Sequence, residues 1–388
     1  MIRSTDRILT MHAGTLPRPS DLRERVMAKS RGEAIDEAAF TTDLQRVISE
    51  NVKKQIENGI DSVNDGELSK SSFSNYMKER LGGLESRDAD PNAPRMGAIG
   101  GRDLLAFPEY FEAGANRSAA ATGQNRVDQT VCTGPITYVG YADLQADIDN
   151  FNVGLRGFDP NETFLPAITP GTVEHWLKNE YYPTAEEFLF AVADALAIEY
   201  KGIVDAGFLL QIDDPDLPDA WQIHPEMNVA EYRKFADLRV DALNHALKDI
   251  PEESIRFHTC WGSYHGPHQF DIPLADIVDI ILKVKAVGYS IEASNPRHDH
   301  EWAVWKDVKL QDGKVLIPGV IGHSNDFIEH PELVAQRLVR YANIVGKENV
   351  MAGTDCGIGS RVGDPQICWA KFQAMSEGAQ IASKELWG

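Results

Sequence analysis

Short apolar runs alternate with helix-like patterns along most of the chain. The first run, Ile8 to Gly14, ends at Thr15 before a proline-rich segment, and apolar residues at helical spacing follow over about 36–58. The next run, Ile60 to Glu67, again finishes in polar residues. This alternation of short strands with amphipathic helices predicts a parallel α/β fold.

The remainder of the chain continues the alternation. Further strands are predicted at 164–169, 208–213, 254–260, 288–293, 316–322 and 350–356, with helices near 184–206, 228–248, 272–287, 331–344 and 364–383. Two apolar runs, 131–138 and 164–169, are candidates for the third strand of this alternation. Because 164–169 directly precedes a long helix, it takes the regular place and the earlier run is an extra strand. Eight strand-helix units predict a (β/α)8 TIM-type barrel.

One stretch, residues 82–130, interrupts this rhythm. It is rich in Gly, Pro, Ala and Asn, which predicts an insertion after the second strand, with a lid over a site as one role. Apart from this insertion, residues 1–388 are expected to form a single barrel domain, although this length would also allow two ordinary domains.

The composition is that of a soluble globular protein and disfavours some partners. Hydrophobic residues make up 43% of the chain, no apolar run approaches the roughly 18 residues of a membrane helix, and the N-terminus lacks a secretory signal. We therefore expect a cytoplasmic protein without a membrane partner. A net charge of -21 disfavours nucleic acid, because phosphate binding needs a basic surface. The 4 cysteines are too few for a disulfide scaffold, and a homo-oligomer is left open.

Chemically active residues collect at or just beyond the carboxyl ends of the predicted strands. They are Glu67, Asp213, His258, Cys260, Glu292, His323 and Cys356. Barrel enzymes carry their chemistry at this end, so the clustering indicates an active site.

The first local pattern is His258-Thr-Cys260, which is a weak signal when taken alone, because its structural alternative is a core histidine beside a buried thiol. Residues two apart in a strand project from the same face, so this imidazole and this thiol point together. Cys356 leaves an apolar strand in a glycine-rich turn, and its structural alternative is a buried thiol.

A fourth candidate ligand is Glu292, which follows apolar residues at a strand end. Burying a carboxylate there without a partner would be costly. Its structural alternative is an ion pair with Arg297 or Lys285. Added to the histidine and the two cysteines, Glu292 completes a shell of one nitrogen, two sulfurs and one oxygen, which suits Zn²⁺.

Seven motifs resemble those of a known family, the cobalamin-independent methionine synthases, in their C-terminal catalytic barrel. In chain order they are Gly14-Thr15, Asp65-Gly-Glu67, Gln211-Ile-Asp-Asp-Pro215, His258-Thr-Cys260, Ile291-Glu292, Pro318-Gly-Val-Ile-Gly-His-Ser-Asn325 and Asp355-Cys-Gly357. The match covers most of the chain and follows the order of the family. The resemblance implies a (β/α)8 barrel that holds zinc through His258, Cys260, Glu292 and Cys356.

The resemblance also implies roles for residues outside the metal shell. Glu67 and Asp213 would bind the amino group of an amino-acid thiol, and Gly14 and Thr15 would hold its carboxylate. His323 would act as an acid near the methyl donor. Structural alternatives exist for three of them: a helix cap for Glu67, a turn residue for Asp213 and a strand-end hydrogen bonder for His323.

The chemistry of such a metal shell favours alkyl transfer to sulfur. A free thiol with a pKa of about 8.5 is mostly protonated at neutral pH, whereas coordination to Zn²⁺ deprotonates it. Three anionic ligands leave electron density on a bound substrate sulfur. This chemistry predicts alkyl transfer to a thiol. The family resemblance then implies a thiol S-methyltransferase with homocysteine as acceptor and 5-methyltetrahydrofolate or a methyl-corrinoid as donor.

Departures from the family keep a second transferase open. Full-length enzymes carry an N-terminal half for which 388 residues leave no room. Single-barrel relatives include the epoxyalkane:coenzyme M transferases, which add a thiol to an epoxide. Coenzyme M carries a sulfonate, for which Lys70 or Arg18 would be suitable partners. The aromatic that would stack on a pterin is unranked among Tyr138, Tyr141 and Trp176.

Two alternatives belong to other classes of protein. A zinc-stabilised barrel without catalysis would lose its fold on chelation and turn over no thiol. A zinc hydrolase would need an open water position beside a base. The loop after Cys260 carries two histidines, His265 and His268, for which a ligand role is one alternative and a loop or helix-start role is the preferred interpretation.

Overall fold

Seven parallel strands form the main sheet of the computed structural model, which describes residues 1–88, 101–111, 128–359 and 361–388. The strands of the whole described chain are β1 (Ser62–Val63), β2 (Leu81–Asp88), β3 (Asp128–Tyr138), β4 (Glu162–Ile168), β5 (Lys178–Asn179), β6 (Leu209–Asp213), β7 (Ile255–Thr259), β8 (Gly288–Ile291), β9 (Val315–Ile321) and β10 (Gly353–Thr354). The order in the main sheet is β1-β4-β6-β7-β8-β9-β10, so it winds steadily along the chain.

A segment near the N-terminus closes this sheet into a ring. Thr10 pairs in parallel with Ala352 beside β10, and Met11 pairs in parallel with Ser62 of β1. The segment therefore occupies the eighth position between the two edges of the sheet. The predicted TIM-type (β/α)8 barrel is confirmed, and 162–168, not 128–138, is its third strand.

Helices surround the ring, and several of them begin at a capping side chain. They are α1 (Ser20–Ser30), α2 (Glu37–Glu57), α3 (Met77–Arg80), α4 (Gly101–Ala106), α5 (Tyr141–Gly154), α6 (Pro170–His175), α7 (Ala185–Asp205), α8 (Asp216–Ile223), α9 (Val229–Ala246), α10 (Leu274–Ile281), α11 (Pro331–Val345) and α12 (Pro365–Trp387). Asp36, Thr184 and Asp364 each accept a backbone N–H in the first turn of their helices, and such caps stabilise a helix start.

One predicted helix is shorter than expected. The pattern over 272–287 continues to the next strand, but α10 ends at Ile281 and two turns follow, in which Lys283 and Val284 donate to Ile280 and Ile281. The chain must change direction there to enter β8 at Gly288. No described helix combines the length and the apolar character that crossing a membrane requires.

The predicted insertion begins in β2, which belongs to a separate small sheet with β3 and β5. β2 pairs antiparallel with β3, which pairs parallel with β5. Residues 89–100 and 112–127 of the predicted 82–130 segment lie outside the described residues. Between them, α4 packs against α8 of the barrel.

Candidate metal centre

Three of the predicted metal ligands come together at the carboxyl end of the barrel. The ligand atoms of His258, Cys260 and Cys356 all lie within 4.8 Å of one another, and the two Sγ atoms are 3.6 Å apart. His258 lies in β7, Cys260 directly follows the last residue of this strand, and Cys356 follows β10. One nitrogen and two sulfurs therefore converge on a small buried volume.

His258 has one paired and one unpaired ring nitrogen. The register of β6, β7 and β8 sets Asp213, His258 and Ser290 side by side, and Nδ1 of His258 lies 3.1 Å from Ser290 Oγ. Within the described chain, Nε2 is buried without a hydrogen-bond partner. If Nδ1 donates to the serine hydroxyl, Nε2 presents the lone pair that a metal-binding histidine needs.

The pKa values of the two thiols are shifted in opposite directions. The hydrogen bond from Cys260 lowers the pKa of Cys356 well below its usual range, and the same contact raises the pKa of Cys260. Burial lowers the pKa of His258, but the interaction with the Cys356 thiolate, through hydrogen bonding and charge, and the charges of Asp213 and Glu292 outweigh burial, so the pKa is raised. The cluster is thus suited to hold a thiolate, which is the form of cysteine that binds metal.

Glu292 follows β8 and is buried, yet it belongs to a neighbouring group. Its Oε2 accepts the backbone N–H of Trp261 at 2.7 Å, and its Oε1 accepts Nδ2 of Asn295 at 3.0 Å. One of its carboxylate oxygens lies within 4.8 Å of a ring nitrogen of His323 and of a carboxylate oxygen of Asp355. Burial raises the pKa of Glu292, and the charge of Asp355 raises it further. The predicted fourth ligand is therefore held by hydrogen bonds beside the cluster of three.

The two cations considered as partners of Glu292 make other contacts. Arg297 donates to the carbonyl oxygen of Gln269 at 2.8 Å, and Lys285 is exposed, with its backbone N–H bound to Asn244. Over the described residues, no Lys or Arg forms an ion pair with Glu292. A buried carboxylate without a cation is costly, so this position is better suited to a metal ligand than to an internal ion pair.

His323, just beyond β9, is a buried side chain without hydrogen bonds. It is 1% exposed, and neither ring nitrogen has a partner among the residues that the structure describes. Asp355 is fully engaged: its Oδ1 accepts the N–H groups of Ala293 and Ser294, and its Oδ2 accepts the Ser294 hydroxyl. Asp355 therefore joins the ends of β8 and β10, whereas His323 keeps its ring free for a ligand.

Glu67 occupies a strained turn beyond β1. Its φ is +57°, a left-handed value that a non-glycine residue adopts rarely. Thr15 Oγ1 donates to Glu67 Oε1 at 2.7 Å, and a Cβ added to Gly14 would come within 2.8 Å of the same oxygen. Backbone strain of this kind is typical of functional positions, and the sequence pattern carries no sign of it.

Asp213, the last residue of β6, is buried close to other acids. Nε2 of Gln211 donates to its Oδ1 at 2.8 Å. Burial, together with the charges of Glu67 and Cys356, raises the pKa of Asp213 to about 8, although His258 acts in the opposite direction. An added cation would favour the ionised form of this carboxylate. Glu67 and Asp213 thus interact in a region that is suited to a positively charged group.

A second buried cluster follows β7, and sequence reasoning missed most of it. His268 Nδ1 and His298 Nε2 lie 2.7 and 3.0 Å from Asp271 Oδ2, and His298 Nδ1 lies 2.8 Å from Glu301 Oε2. Burial lowers the pKa of both histidines, but the carboxylates outweigh it, so the pKa of His268 rises to about 9 and that of His298 to about 10. The only sequence signal is the i,i+3 spacing of two His-acid pairs.

Helix α4 of the insertion packs on the same loop. The carboxylate of Asp103 is buried and accepts the N–H of Phe270 at 3.0 Å and the hydroxyl of Tyr264 at 3.1 Å. The Tyr110 hydroxyl donates to the carbonyl oxygen of His265 at 2.7 Å. The described part of the insertion therefore covers the loop that follows the His258 and Cys260 strand.

Comparison with known proteins gives a consistent relationship. No family model matches the chain. A methionine synthase of Sulfurisphaera tokodaii is 24% identical over 382 residues, covering 96% of this chain and 92% of that protein. A methionine synthase of Thermococcus kodakarensis is 29% identical over 224 residues, or 57% of this chain and 58% of that protein. The solved B12-independent methionine synthase of a Shewanella species, in complex with selenomethionine, has a TM-score of 0.71 at 19% identity, covering 98% of this chain and 99% of that one.

The resemblance to the cobalamin-independent methionine synthases is confirmed. The solved Shewanella structure shows that the fold is shared over the whole barrel. Of the three aromatics considered for a pterin, Tyr138 is buried with its hydroxyl bound to Glu199, and Tyr141 is exposed on α5. Trp176 directly follows α6, the short helix that comes after β4, and it interacts with Asp216. The assignment of an aromatic to a pterin stays a prediction.

The two cations considered for a sulfonate are bound to the backbone. Nη2 of Arg18 donates to the carbonyl oxygens of Glu67 and Lys70 at 2.7 and 2.8 Å. Nζ of Lys70 donates to the carbonyl oxygen of Pro166 at 2.6 Å and lies over the Tyr76 ring. Both cations stabilise the turn that carries Glu67, and a sulfonate would have to compete with these bonds.

Proposed function

We propose that the chain is a zinc-dependent methyltransferase that transfers a methyl group to the thiol of homocysteine. The observation that carries the proposal is the convergence of His258, Cys260 and Cys356 around an unpaired imidazole nitrogen. The methionine synthases that resemble the chain over 96% of its length support the choice of reaction.

The side chains present fit zinc. One imidazole nitrogen and two thiols match the ligand types that Zn²⁺ prefers, and Glu292 would complete the shell by exchanging its bond with Trp261 for the metal. Zinc bound there would hold the substrate sulfur as a nucleophilic thiolate near neutral pH. Ser290, which contacts Nδ1 of His258, would keep the imidazole oriented toward the metal.

The amino-acid end of homocysteine would face the Glu67 side of the site. Its ammonium would lie between the carboxylates of Glu67 and Asp213, and would hold Asp213 in the ionised form. Its carboxylate would approach Gly14 and Thr15, where a larger side chain would collide with Glu67. This arrangement fixes the thiol relative to the metal ligands and supplies orientation, which is a large part of rate enhancement.

Methyl transfer then requires one bond to form and one to break. An electron pair of the homocysteine sulfur forms the new S–C bond to the methyl carbon, while the bond between that carbon and the pterin nitrogen of 5-methyltetrahydrofolate breaks. The pair from the broken bond stays on the nitrogen, which takes up a proton. His323 is buried and unpaired, and we assign it as the residue that holds this proton.

The insertion would shield this chemistry from water. The contacts of Asp103 and Tyr110 hold α4 and its neighbourhood on the loop 260–271, directly after a metal-ligand residue. Exclusion of water favours transfer to sulfur over side reactions. The insertion is therefore proposed as a lid of the single barrel domain.

Coenzyme M and an epoxide have less support as substrates. The relatives described above are methionine synthases, and Arg18 and Lys70 already donate to backbone carbonyls. Glu67 and Asp213 would repel a sulfonate, whereas they attract an ammonium. A barrel that binds zinc without catalysis remains an outcome of the assay.

The decisive experiment is an acceptor and donor panel with zinc-loaded protein. Homocysteine and coenzyme M are each offered with 5-methyltetrahydrofolate, a methyl-corrinoid and a short epoxide, and the alkylated thiol is measured by mass spectrometry. Methionine from homocysteine supports the proposal and identifies the donor. Product from coenzyme M alone, or no thiol product with any pair, would contradict it.

A further inference from the structure

We propose that His268, Asp271 and His298 form a second divalent-cation site, separate from the sulfur-containing centre. Their ligand atoms all lie within 4.8 Å of one another, and all three side chains are buried. The donor set of two imidazole nitrogens and one carboxylate oxygen binds Zn²⁺ and other first-row divalent metals, without any thiol.

The facing atoms converge on a single point. His268 Nδ1 and His298 Nε2 lie 2.7 and 3.0 Å from the same oxygen, Asp271 Oδ2. Metal-ligand bonds of about 2.0–2.2 Å in a tetrahedral site set neighbouring ligand atoms about 3.3–3.6 Å apart. The two hydrogen-bond distances are shorter than this, so the side chains would separate by about half an ångström to admit a cation between them.

The outer atoms of the cluster are held in the way that metal ligands usually are. His298 Nδ1 contacts Glu301 Oε2 at 2.8 Å, and His268 Nε2 contacts the carbonyl oxygen of Tyr264 at 3.2 Å. Nε2 of Gln222 donates to the other oxygen of Asp271 at 2.7 Å. Such contacts orient the inner nitrogens and oxygen of a metal site and fix the tautomer of each ring.

Charge counting shows why a cation suits this cluster. Both ring nitrogens of His268 and both ring nitrogens of His298 face oxygen atoms. All four contacts can be hydrogen bonds only if each imidazole ring carries two protons. One divalent cation could replace the two inner protons without changing the total charge. The outer contacts to Glu301 and Tyr264 would persist, because each outer nitrogen keeps its proton.

Two further observations point to this cluster. His268 has φ +51° and, with Glu67, is one of two non-glycine residues with positive φ in the described chain. Asp219 is 8% exposed, its Oδ1 has no hydrogen-bond partner among the described residues, and it is close enough to interact electrostatically with His268 and Asp271. A cation near this second carboxylate would offset its negative charge.

The proposed cation would stabilise the loop behind the first centre. The Trp261 ring stacks on the His298 ring, with 4.0 Å between the ring centroids. The backbone N–H of Trp261 donates to Glu292. The second site therefore joins the loop after β7 to the 3₁₀ segment Asp299–Lys306, beside a proposed ligand of the first site. Its role would be to hold this loop in place.

The test counts metals and distinguishes the two sites by their ligands. Full-length protein is produced in cobalt-supplemented medium, cobalt per chain is measured by atomic emission, and thiolate-to-cobalt absorption reports the sulfur-containing centre alone. We expect two cobalt ions in the wild type and one in His298→Gln, with thiolate absorption unchanged. The matched control is His300→Gln, an exposed histidine two residues away, which should retain both ions.

A second variant keeps the test decisive if His298→Gln does not fold. Asp271→Asn should also lose one ion and retain the thiolate absorption, whereas Cys356→Ser should lose the absorption and retain one ion. A single ion in the wild type together with full thiolate absorption, or two ions in both second-site variants, would overturn the second site. One ion without thiolate absorption that disappears in His298→Gln would support the second site and contradict the zinc centre of the proposed function.

Discussion

The two halves of the candidate site differ in how far their polar groups are already paired. In the metal half, Nε2 of His258 and both ring nitrogens of His323 are buried without partners among the described residues. In the carboxylate half, Thr15 donates to Glu67 and Gln211 donates to Asp213. The first half is therefore incomplete until a ligand binds, whereas the second is organised before any substrate arrives.

This difference assigns different tasks to the two halves. Unpaired buried groups are costly and persist where a metal or substrate supplies the missing partner. Carboxylates that already accept hydrogen bonds are pre-organised and lose little freedom on binding. The metal half should decide whether the reaction occurs, and the carboxylate half should decide which thiol is accepted.

The largest expected effect is on the metal half. Cys356→Ser should abolish metal binding at this centre and reduce methyl transfer to background, because one of two converging sulfurs is removed. Thiolate-to-cobalt absorption and the methionine assay measure both losses. Cys368→Ser is the matched control, since this buried thiol donates to the carbonyl oxygen of Ile358 and should not affect the absorption. Full metal binding in the Cys356 variant would contradict the assignment.

The next largest effect concerns the thiol that is accepted. Asp213→Asn should raise KM for homocysteine by about 10- to 100-fold, since a hydrogen bond to a charged group contributes roughly 1.5–3 kcal/mol. The turnover of coenzyme M, if any, should change far less. Steady-state kinetics with both thiols checks this, with Asp214→Asn as the neighbouring buried control. Equal effects on the two acceptors would remove the ammonium role from Asp213.

A steric change tests the pre-organised turn. Gly14→Ala should lower the free energy of unfolding by about 1–3 kcal/mol and weaken homocysteine binding, because its Cβ would press on Glu67 Oε1 in a left-handed conformation. Gly32→Ala has the same sign of φ but nothing within 4 Å, so it isolates the backbone strain. Urea unfolding and calorimetric binding measure the two effects. An identical result for both variants would mean that the Glu67 contact has no role.

The smallest effect comes from one hydroxyl. Thr15→Val removes the donor to Glu67 Oε1 and should raise KM for homocysteine by about two- to tenfold, as expected for a hydrogen bond worth roughly 0.5–1.5 kcal/mol. Thr42→Val is the control, because its hydroxyl bonds to Ala38 within α2. If the two variants have the same KM, the carboxylate half does not depend on this bond.

Much of the barrel and part of the site could be predicted from sequence because the signals are local. Strand and helix periods fix the alternation of elements, and caps such as Asp36 and Thr184 mark helix starts. The spacing of His258 and Cys260 fixes their common face. The predicted helix after Pro273 was too long, because apolar residues continue beyond the end of the observed helix, through the turn and into β8.

Long-range placement could be decided only by the tertiary structure. Closure of the ring through Thr10 and Ala352 brings Cys356 to 3.6 Å from Cys260, although 96 residues separate them. The same packing holds Glu292 on the Trp261 N–H, and no periodicity encodes which acceptor a buried N–H selects. The sequence by itself determined which residues stand at strand ends, because side-chain direction is a local property. Which of those ends meet depends on register and ring closure, and these arise only when the whole sheet forms.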